Sequence, residues 1–377
     1  MSEKPSDVAI PKRAYYPSLT ALRGMATLWV VVLHSSLFVG ELLPGRPQQV
    51  WNFFARPGFL GVDVFFVLSG FVLSVGYSAW FEDPSARRTG TWLRFIRNRA
   101  ARIFPAHLAV LVPLALAVSV VHVNLGNAGA EHRWSASGFV MSLFLVQTWF
   151  GRVDVWNAVA WSVSAEWLFY LLFPLVVRST ARTAKGLGTR SCMAIAHCAM
   201  VIVAVVETLH LRGVVSWHLP VLATAAIEFL VGALLWQSCF RFGTRPVPTS
   251  PAIHRAIWLA LVLLFGSAIV ASCGWPAHGG IILIPWLVSA FTADRTPRRL
   301  GAGWLRLLGE ISYSLYLLHY PWQWFMRSFI PTTDFSQRHL LIRMGVLLLY
   351  LVPPFPTAVL SYHLIEKRGQ RMFSART

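Results

Sequence analysis

Residues 19–39 read LTALRGMATLWVVVLHSSLFV, an apolar stretch that is long enough to cross a bilayer as one helix. Arg23 and His34 stand near its two ends. A step of eleven residues turns a helix through about 1100°, close to three full turns, so both side chains fall on one face about 16 Å apart along the axis. Because ionisable side chains are costly inside a bilayer, this stripe indicates a proton-handling imidazole at depth with a cation below it.

The composition of the whole chain is typical of a membrane protein. Its 377 residues are 56% hydrophobic and only 13% charged, and the mean hydropathy is +0.57. A soluble domain of this composition would lack a polar coat. The 17 Trp residues suit aromatic belts at the two membrane interfaces. Residues 1–18 are polar and contain no apolar leader, so we expect a cytoplasmic tail there and no signal peptide.

The apolar stretches predict an all-α integral membrane protein with about ten transmembrane helices in one domain, residues 19–364, followed by a basic cytoplasmic tail, residues 365–377. Residues 138–150 are too short to span comfortably and are expected to form a re-entrant or interfacial segment on the outer side. The predicted spans are 19–39, 58–80, 104–122, 161–177, 192–210, 218–239, 256–272, 278–293, 307–329 and 340–364.

The formal charge of +18 follows the same topology. If both termini are cytoplasmic, the inner segments hold about four times as many basic residues as the outer segments. This is the positive-inside signature. The basic excess therefore reflects the orientation of the protein in the membrane, and we expect no nucleic-acid partner. None of the four Cys residues forms a Cys-x-x-Cys pair, and no metal site is expected.

Helix rise brings three ionisable side chains to one depth in the outer half of the membrane. His34 lies about 8 Å below the outer end of its span, and Asp63 and Glu166 follow the outer starts of their own spans by similar distances. A carboxylate beside a histidine fixes its tautomer and raises its basicity, as general-base catalysis requires. Either carboxylate could orient His34, and Ser162 and Ser164 add donors near Glu166. The alternative is that each polar residue only links packed helices.

A second cluster lies at the inner membrane edge, in WLRFIRNRAARIFP, residues 92–105. Arg99 and Arg102 are three residues apart and share a helix face. Paired guanidiniums suit a phosphate-rich ligand, because Arg grips phosphate through two parallel hydrogen bonds. Arg94 and Arg97 fit plain positive-inside anchoring better.

A third cluster lies deep in the ninth predicted span. Tyr313, Tyr316 and His319 form a polar and aromatic stripe at mid-membrane. Such a stripe is expected to line a cavity and not to face lipid. Hydrogen bonding between helices in the core is the alternative.

Five blocks in this chain resemble the membrane-bound acyltransferase-3 family, whose members acylate sugars of bacterial surface polysaccharides and some small glycosides. The Arg and His separated by ten residues, here Arg23 and His34, are its most specific signature; Arg99 and Arg102 match its Arg-x-x-Arg, and Glu166 its Trp-Ser-x-x-x-Glu block. The blocks are SLTALRGMATLWVVVLH (18–34), GFLGVDVFFVLSGFVLS (58–74), RNRAARIFPAH (97–107), WSVSAEWLFYLLFP (161–174) and ISYSLYLLHYPW (311–322).

The resemblance implies a multi-pass O-acyltransferase of the bacterial cytoplasmic membrane. Acetyl-CoA or another acyl-CoA would be a co-substrate, with its phosphates on Arg23, Arg99 and Arg102, and no cofactor would be permanently bound. His34 would deprotonate a hydroxyl of a sugar in an exopolysaccharide, a lipid-linked glycan or a related glycoside. A covalent acyl-enzyme, a proton-coupled transporter and a non-catalytic polysaccharide-assembly subunit stay open as alternatives; the absence of an inverted repeat disfavours the transporter.

Overall fold

The computed structural model describes residues 16–82, 89–119, 133–214, 218–242, 277–292 and 303–373, and every regular element in these ranges is helical. This confirms the all-α class. The α-helices are α1 Pro17–His34, α2 Ser36–Leu42, α3 Arg46–Ala55, α4 Leu60–Glu82, α5 Thr89–Ser119, α6 Ala136–Leu143, α7 Trp161–Leu171, α8 Phe173–Leu211, α9 His218–Leu235, α10 Ile284–Phe291, α11 Gly303–Phe329, α12 Thr332–Phe335, α13 Leu340–Leu351, α14 Pro354–Ser361 and α15 Lys367–Phe373. Short 3-10 turns cover Arg56–Phe59, Gln147–Phe150, Ala158–Ala160 and Ala277–Leu283, and π-helical turns cover Trp236–Arg241 and Tyr362–Glu366.

Several of these helices are long and apolar enough to cross a membrane. Within the described ranges there are five, and α1 with α2, bent by 43°, makes a sixth if the pair is one span. The predicted span 256–272 lies outside the described residues, so the count of ten and the side of each terminus stay predictions. The five stretches are Arg46–Phe81, Gly90–Ser119, Phe173–His210, Val221–Arg241 and Leu340–Phe373.

Helix α8 reverses direction at Gly188. This glycine has φ 71° and ψ 171°, a non-helical conformation that favours glycine. The Sγ atom of Cys192 lies 3.9 Å from the backbone oxygen of Thr183, whereas nine residues of straight helix would separate them by about 13 Å. The two halves of α8 therefore form a hairpin, with its turn in the basic segment that separates the predicted spans 161–177 and 192–210.

Residues 138–150 do not form a single helix. Helix α6 ends at Leu143, and Leu145 has a positive φ of 56° before the 3-10 turn Gln147–Phe150. Eight residues of α-helix extend only about 12 Å. The segment is therefore too short and too broken to cross, and its interfacial position stays a prediction.

Glycines allow the central helices to approach closely. A Cβ atom at Gly24 of α1 would lie 2.6 Å from the backbone nitrogen of Gly309 in α11. At Gly232 of α9, an added Cβ would overlap the backbone oxygen of Val67 in α4. Small residues at such crossings are the usual basis of helix association in membranes. They fix α1 against α11, and α9 against α4.

We expect Gly232→Ala to destabilise the protein, because the atom it would overlap belongs to the backbone and cannot rotate away. Overpacking of this kind costs about 1–3 kcal/mol, which a thermal unfolding midpoint in detergent would detect. Gly345→Ala in α13 is the matched control, since nothing lies within 4 Å of its added Cβ. Equal midpoints for both variants would contradict this packing.

The C-terminal segment is part of the helical domain. Glu366 is completely buried, and a Cβ at Gly369 would lie 2.5 Å from Cγ of Pro105 in α5. Arg97 of α5 donates a hydrogen bond of 2.7 Å to the backbone oxygen of Phe373. Residues 365–373, predicted as a separate tail, are thus docked on α5; residues 374–377 lie outside the described part.

Candidate active site

A cavity of about 450 Å³ lies between α1, α4, α5, α7 and α11. Its wall includes seven of the predicted site residues. Ser164 and His319, also predicted to line a cavity, are not in this wall, and neither are His34 and Asp63. The seven residues are Arg23, Arg99, Arg102, Ser162, Glu166, Tyr313 and Tyr316.

One end of the cavity is basic. Arg23 donates from Nε and Nη2 to the backbone oxygen of Gly309, at 3.2 and 2.6 Å. Arg99 donates from Nη2 to Tyr77 Oη at 2.8 Å, while its buried Nε has no hydrogen-bond partner. Together with Arg102 these side chains bring three guanidiniums into one wall. Unused donors there leave capacity to bind an anion.

Glu366 contacts Arg102 from outside the cavity wall, and sequence reasoning placed it in the tail. Its Oε1 lies 3.9 Å from Nη1 of Arg102. Ser314 donates to its Oε2 at 3.2 Å, and Gln370 donates to its Oε1 at 3.4 Å. A carboxylate held in this way keeps Arg102 extended toward the cavity. The available signal was a single acidic residue between the last apolar run and the basic stretch KRGQR.

Hydroxyl groups surround Glu166 in the middle of the cavity. Ser69 of α4, which sequence reasoning did not single out, donates a short hydrogen bond to Glu166 Oε1. Ser162 and Tyr316 share a hydrogen bond of 2.8 Å between their hydroxyl groups. Tyr313 donates to the backbone oxygen of Ile103 at 2.8 Å. The middle of the cavity therefore holds a single carboxylate and several hydroxyl groups, in a wall that also contains apolar side chains such as Phe66 and Val163.

His34 is paired with another histidine. Its Nδ1 lies 3.0 Å from the backbone oxygen of Val30 and 3.1 Å from Nε2 of the fully buried His319. Nδ1 of His319 lies 3.2 Å from the backbone oxygen of Leu315. A carbonyl oxygen only accepts, so in neutral imidazoles both Nδ1 atoms carry the proton, and the single proton on His34 Nδ1 is shared between the oxygen of Val30 and Nε2 of His319. This assignment leaves a lone pair on Nε2 of His34.

Neither carboxylate is hydrogen bonded to His34 in the described part of the chain, which corrects the expected pairing. The carboxyl of Asp63 is hydrogen bonded to that of Glu228 in α9, and Glu166 is bonded to Ser69. Helix rise fixes the depth of a residue, but the rotation of each helix decides which neighbour it meets, and α4 turns Asp63 toward α9.

The remaining predicted residues have packing contacts. Ser164 is buried, and its Oγ accepts a hydrogen bond of 3.2 Å from the backbone nitrogen of Thr148. Arg94 lies over the ring of Trp80, 5.4 Å from its centroid. Among the described residues, no group of three or more His, Cys, Asp or Glu is placed to hold a metal ion.

The sequence matches a family model described as an acyltransferase domain over residues 16–363. The acyltransferase MdmB of Streptomyces mycarofaciens is 34% identical over 174 residues, which cover 45% of this chain and 41% of that protein. The putative peptidoglycan O-acetyltransferase YrhL of Bacillus subtilis is 27% identical over 398 aligned positions, covering 96% of this chain and 56% of the relative. The O-acetyltransferase OatA of Staphylococcus aureus is 24% identical over 404 positions, covering 96% and 58%.

The chain thus spans about half the length of the curated relatives that it matches. No solved structure is significantly similar to it. The family model extends over nearly all of the helical domain, from the start of α1 to the π-helical turn that precedes α15. The chain therefore belongs to the acyltransferase-3 family of membrane proteins.

Proposed function

We propose that the protein transfers an acyl group, acetyl in the expected case, from acyl-CoA to a hydroxyl group of a sugar. The observation that carries this proposal is the cavity in which Arg23, Arg99, Arg102 and Glu166 share one wall. Family membership favours acyl transfer over a proton-coupled transporter or a non-catalytic assembly subunit. The names of YrhL and OatA describe O-acetyltransferases, which supports oxygen as the accepting atom.

The positive charge of the cavity wall supports acyl-CoA as the donor that binds there. Three guanidiniums present donors to whatever fills the cavity. CoA carries several phosphates, and Arg binds phosphate through its planar fork. If this basic end faces the cytoplasm, cytosolic acyl-CoA would enter the cavity from that side.

The length of the cavity supports an extended donor arm. Its wall follows α4 from Tyr77, beside Arg99, to Phe65. Twelve residues of helix cover about 18 Å. An extended pantetheine arm suits this path, with the phosphates at the basic end and the thioester near Tyr316.

The geometry of His34 supports a general base. The lone pair on Nε2 would accept the proton of the sugar hydroxyl as its oxygen attacks the thioester carbonyl. The proton would then pass to the departing CoA thiolate, so that the products are the O-acyl sugar and free CoA. His319 would hold the imidazole in the required tautomer and act as a positioning residue.

The acceptor is proposed to approach from the outer side, as a lipid-linked glycan or a sugar of a surface polysaccharide or related glycoside. The family resemblance supports this class, and YrhL is named for peptidoglycan. The bacterial cytoplasmic membrane is the proposed location, because it lies between a cytosolic donor and an outer acceptor.

The proposal predicts that the purified full-length chain releases CoA from radiolabelled acetyl-CoA and moves the label to an acceptor. We suggest proteoliposomes with either a lipid-linked disaccharide or a soluble peptidoglycan fragment. Free thiol and acceptor-bound label would be measured together, and acceptor-free samples would give the hydrolysis rate. Failure to bind acetyl-CoA would contradict the donor, whereas CoA release without labelled acceptor would contradict the acceptor class.

A further inference from the structure

The donor cavity has a defined outer end. Along α11 the wall ends at Tyr316, and along α7 it begins at Ser162. His319, which is bonded to His34, lies one turn beyond Tyr316 on α11. At this end the wall is formed by Phe65, Phe66, Ser162 and Tyr316, whereas the guanidiniums lie at the other end.

Tyr316 is held firmly across this end. Its hydroxyl is hydrogen bonded to Ser162 at 2.8 Å, and its ring meets Phe65 edge-on with centroids 5.9 Å apart. The opposite contact is with His319, whose ring centroid is also 5.9 Å away. Only 6% of Tyr316 is exposed. The side chain therefore lines the cavity and also packs against His319.

We infer that Tyr316 forms the end wall of the acyl subsite and restricts the donor to short acyl groups, of about the size of acetyl. The inference rests on the proposed acyl-CoA donor. If the phosphates are anchored at the arginines and the arm has a fixed length, the thioester is brought to a fixed depth. Additional methylene groups would then meet the Tyr316 ring and its partners.

The ring and the hydroxyl of Tyr316 have separable roles in this scheme. The ring fills the space, and the hydrogen bond to Ser162 fixes its direction. Tyr316→Ala removes both, whereas Tyr316→Phe keeps the ring. Phe65→Ala removes the neighbour that packs on the ring and offers a second way to open the wall.

The test is binding of unreactive thioether analogues to the full-length protein in detergent, measured by calorimetry with CoA, S-ethyl-CoA and S-hexyl-CoA. The wild type should bind S-hexyl-CoA at least about tenfold more weakly than S-ethyl-CoA, in keeping with the discrimination a closed pocket gives for added methylenes. Tyr316→Ala should reduce that ratio to less than about threefold, and Tyr316→Phe should retain it.

Equal affinities of the wild type for the ethyl and hexyl analogues would overturn the inference without any variant. Full discrimination in Tyr316→Ala would overturn it as well. If that variant does not fold, Phe65→Ala replaces it with the same expected loss of discrimination. Absence of binding for every analogue, CoA included, would instead contradict the acyl-CoA donor on which the inference depends.

Discussion

His34→Ala is expected to slow acyl transfer by about a hundred- to ten-thousand-fold, the usual contribution of a general base. The variant should insert and purify normally, because His34 is only half-buried and its hydrogen bonds are to Val30 and His319. Its affinity for CoA should be unchanged, since His34 is not in the wall of the donor cavity. Transfer and CoA binding would be measured on the same preparations.

His197→Ala is the matched control for this variant. Nδ1 of His197 lies 2.7 Å from the backbone oxygen of Met193, one turn earlier in α8. His34 has the same relation to Val30 in α1. His197→Ala removes a histidine that has only this kind of backbone contact, so acyl transfer should continue at the wild-type rate. Near-normal turnover in His34→Ala, or an equal loss in both variants, would remove His34 as the base.

The double variant Arg99→Ala/Arg102→Ala is expected to weaken CoA binding by about a hundredfold or more. Hydrogen bonds to charged groups contribute about 1.5–3 kcal/mol each, and about 1.4 kcal/mol corresponds to tenfold in affinity. Rising salt should weaken binding to the wild type more than binding to the variant, because the lost contacts are ionic. Calorimetric titration with CoA at two ionic strengths measures both effects.

Two further substitutions separate ligand binding from anchoring. Arg97→Ala removes an exposed cation from the same helix that is bonded to Phe373 and absent from the cavity wall, so CoA affinity should not change. Arg102→Lys keeps the charge beside Glu366 but loses the planar fork, so an intermediate affinity is expected. If the double variant binds CoA like the wild type, Arg99 and Arg102 serve only to anchor α5.

Helix rise and the position of the basic stretch were sufficient to predict that Arg23, Arg99 and Arg102 come together. The step from Arg23 to His34 and the edge position of Arg99 and Arg102 require only the length of a helical turn. The structure places these three arginines in one wall. Depth along an apolar helix can be read from one sequence, because it depends on where each span starts.

The partners of the carboxylates could not be read in the same way. Helix rise predicted Asp63 and Glu166 at the level of His34, but α4 turns Asp63 toward Glu228 and α7 turns Glu166 toward Ser69. Glu228 was a visible signal, since a carboxylate inside the apolar run of α9 needs a partner. His319 was placed in a deep stripe, but only tertiary packing of α1 on α11 makes it the partner of His34.

The hydrogen bonds from Arg23 to Gly309 join residues 286 positions apart. At about 5–20 residues per second, a ribosome needs about 15–60 s to add that length of chain. During this interval the first helix is already made while the carbonyl that will receive its guanidinium does not yet exist. A nascent chain that stops before α11 therefore has a first helix whose Arg23 lacks the carbonyl that receives it in the finished protein.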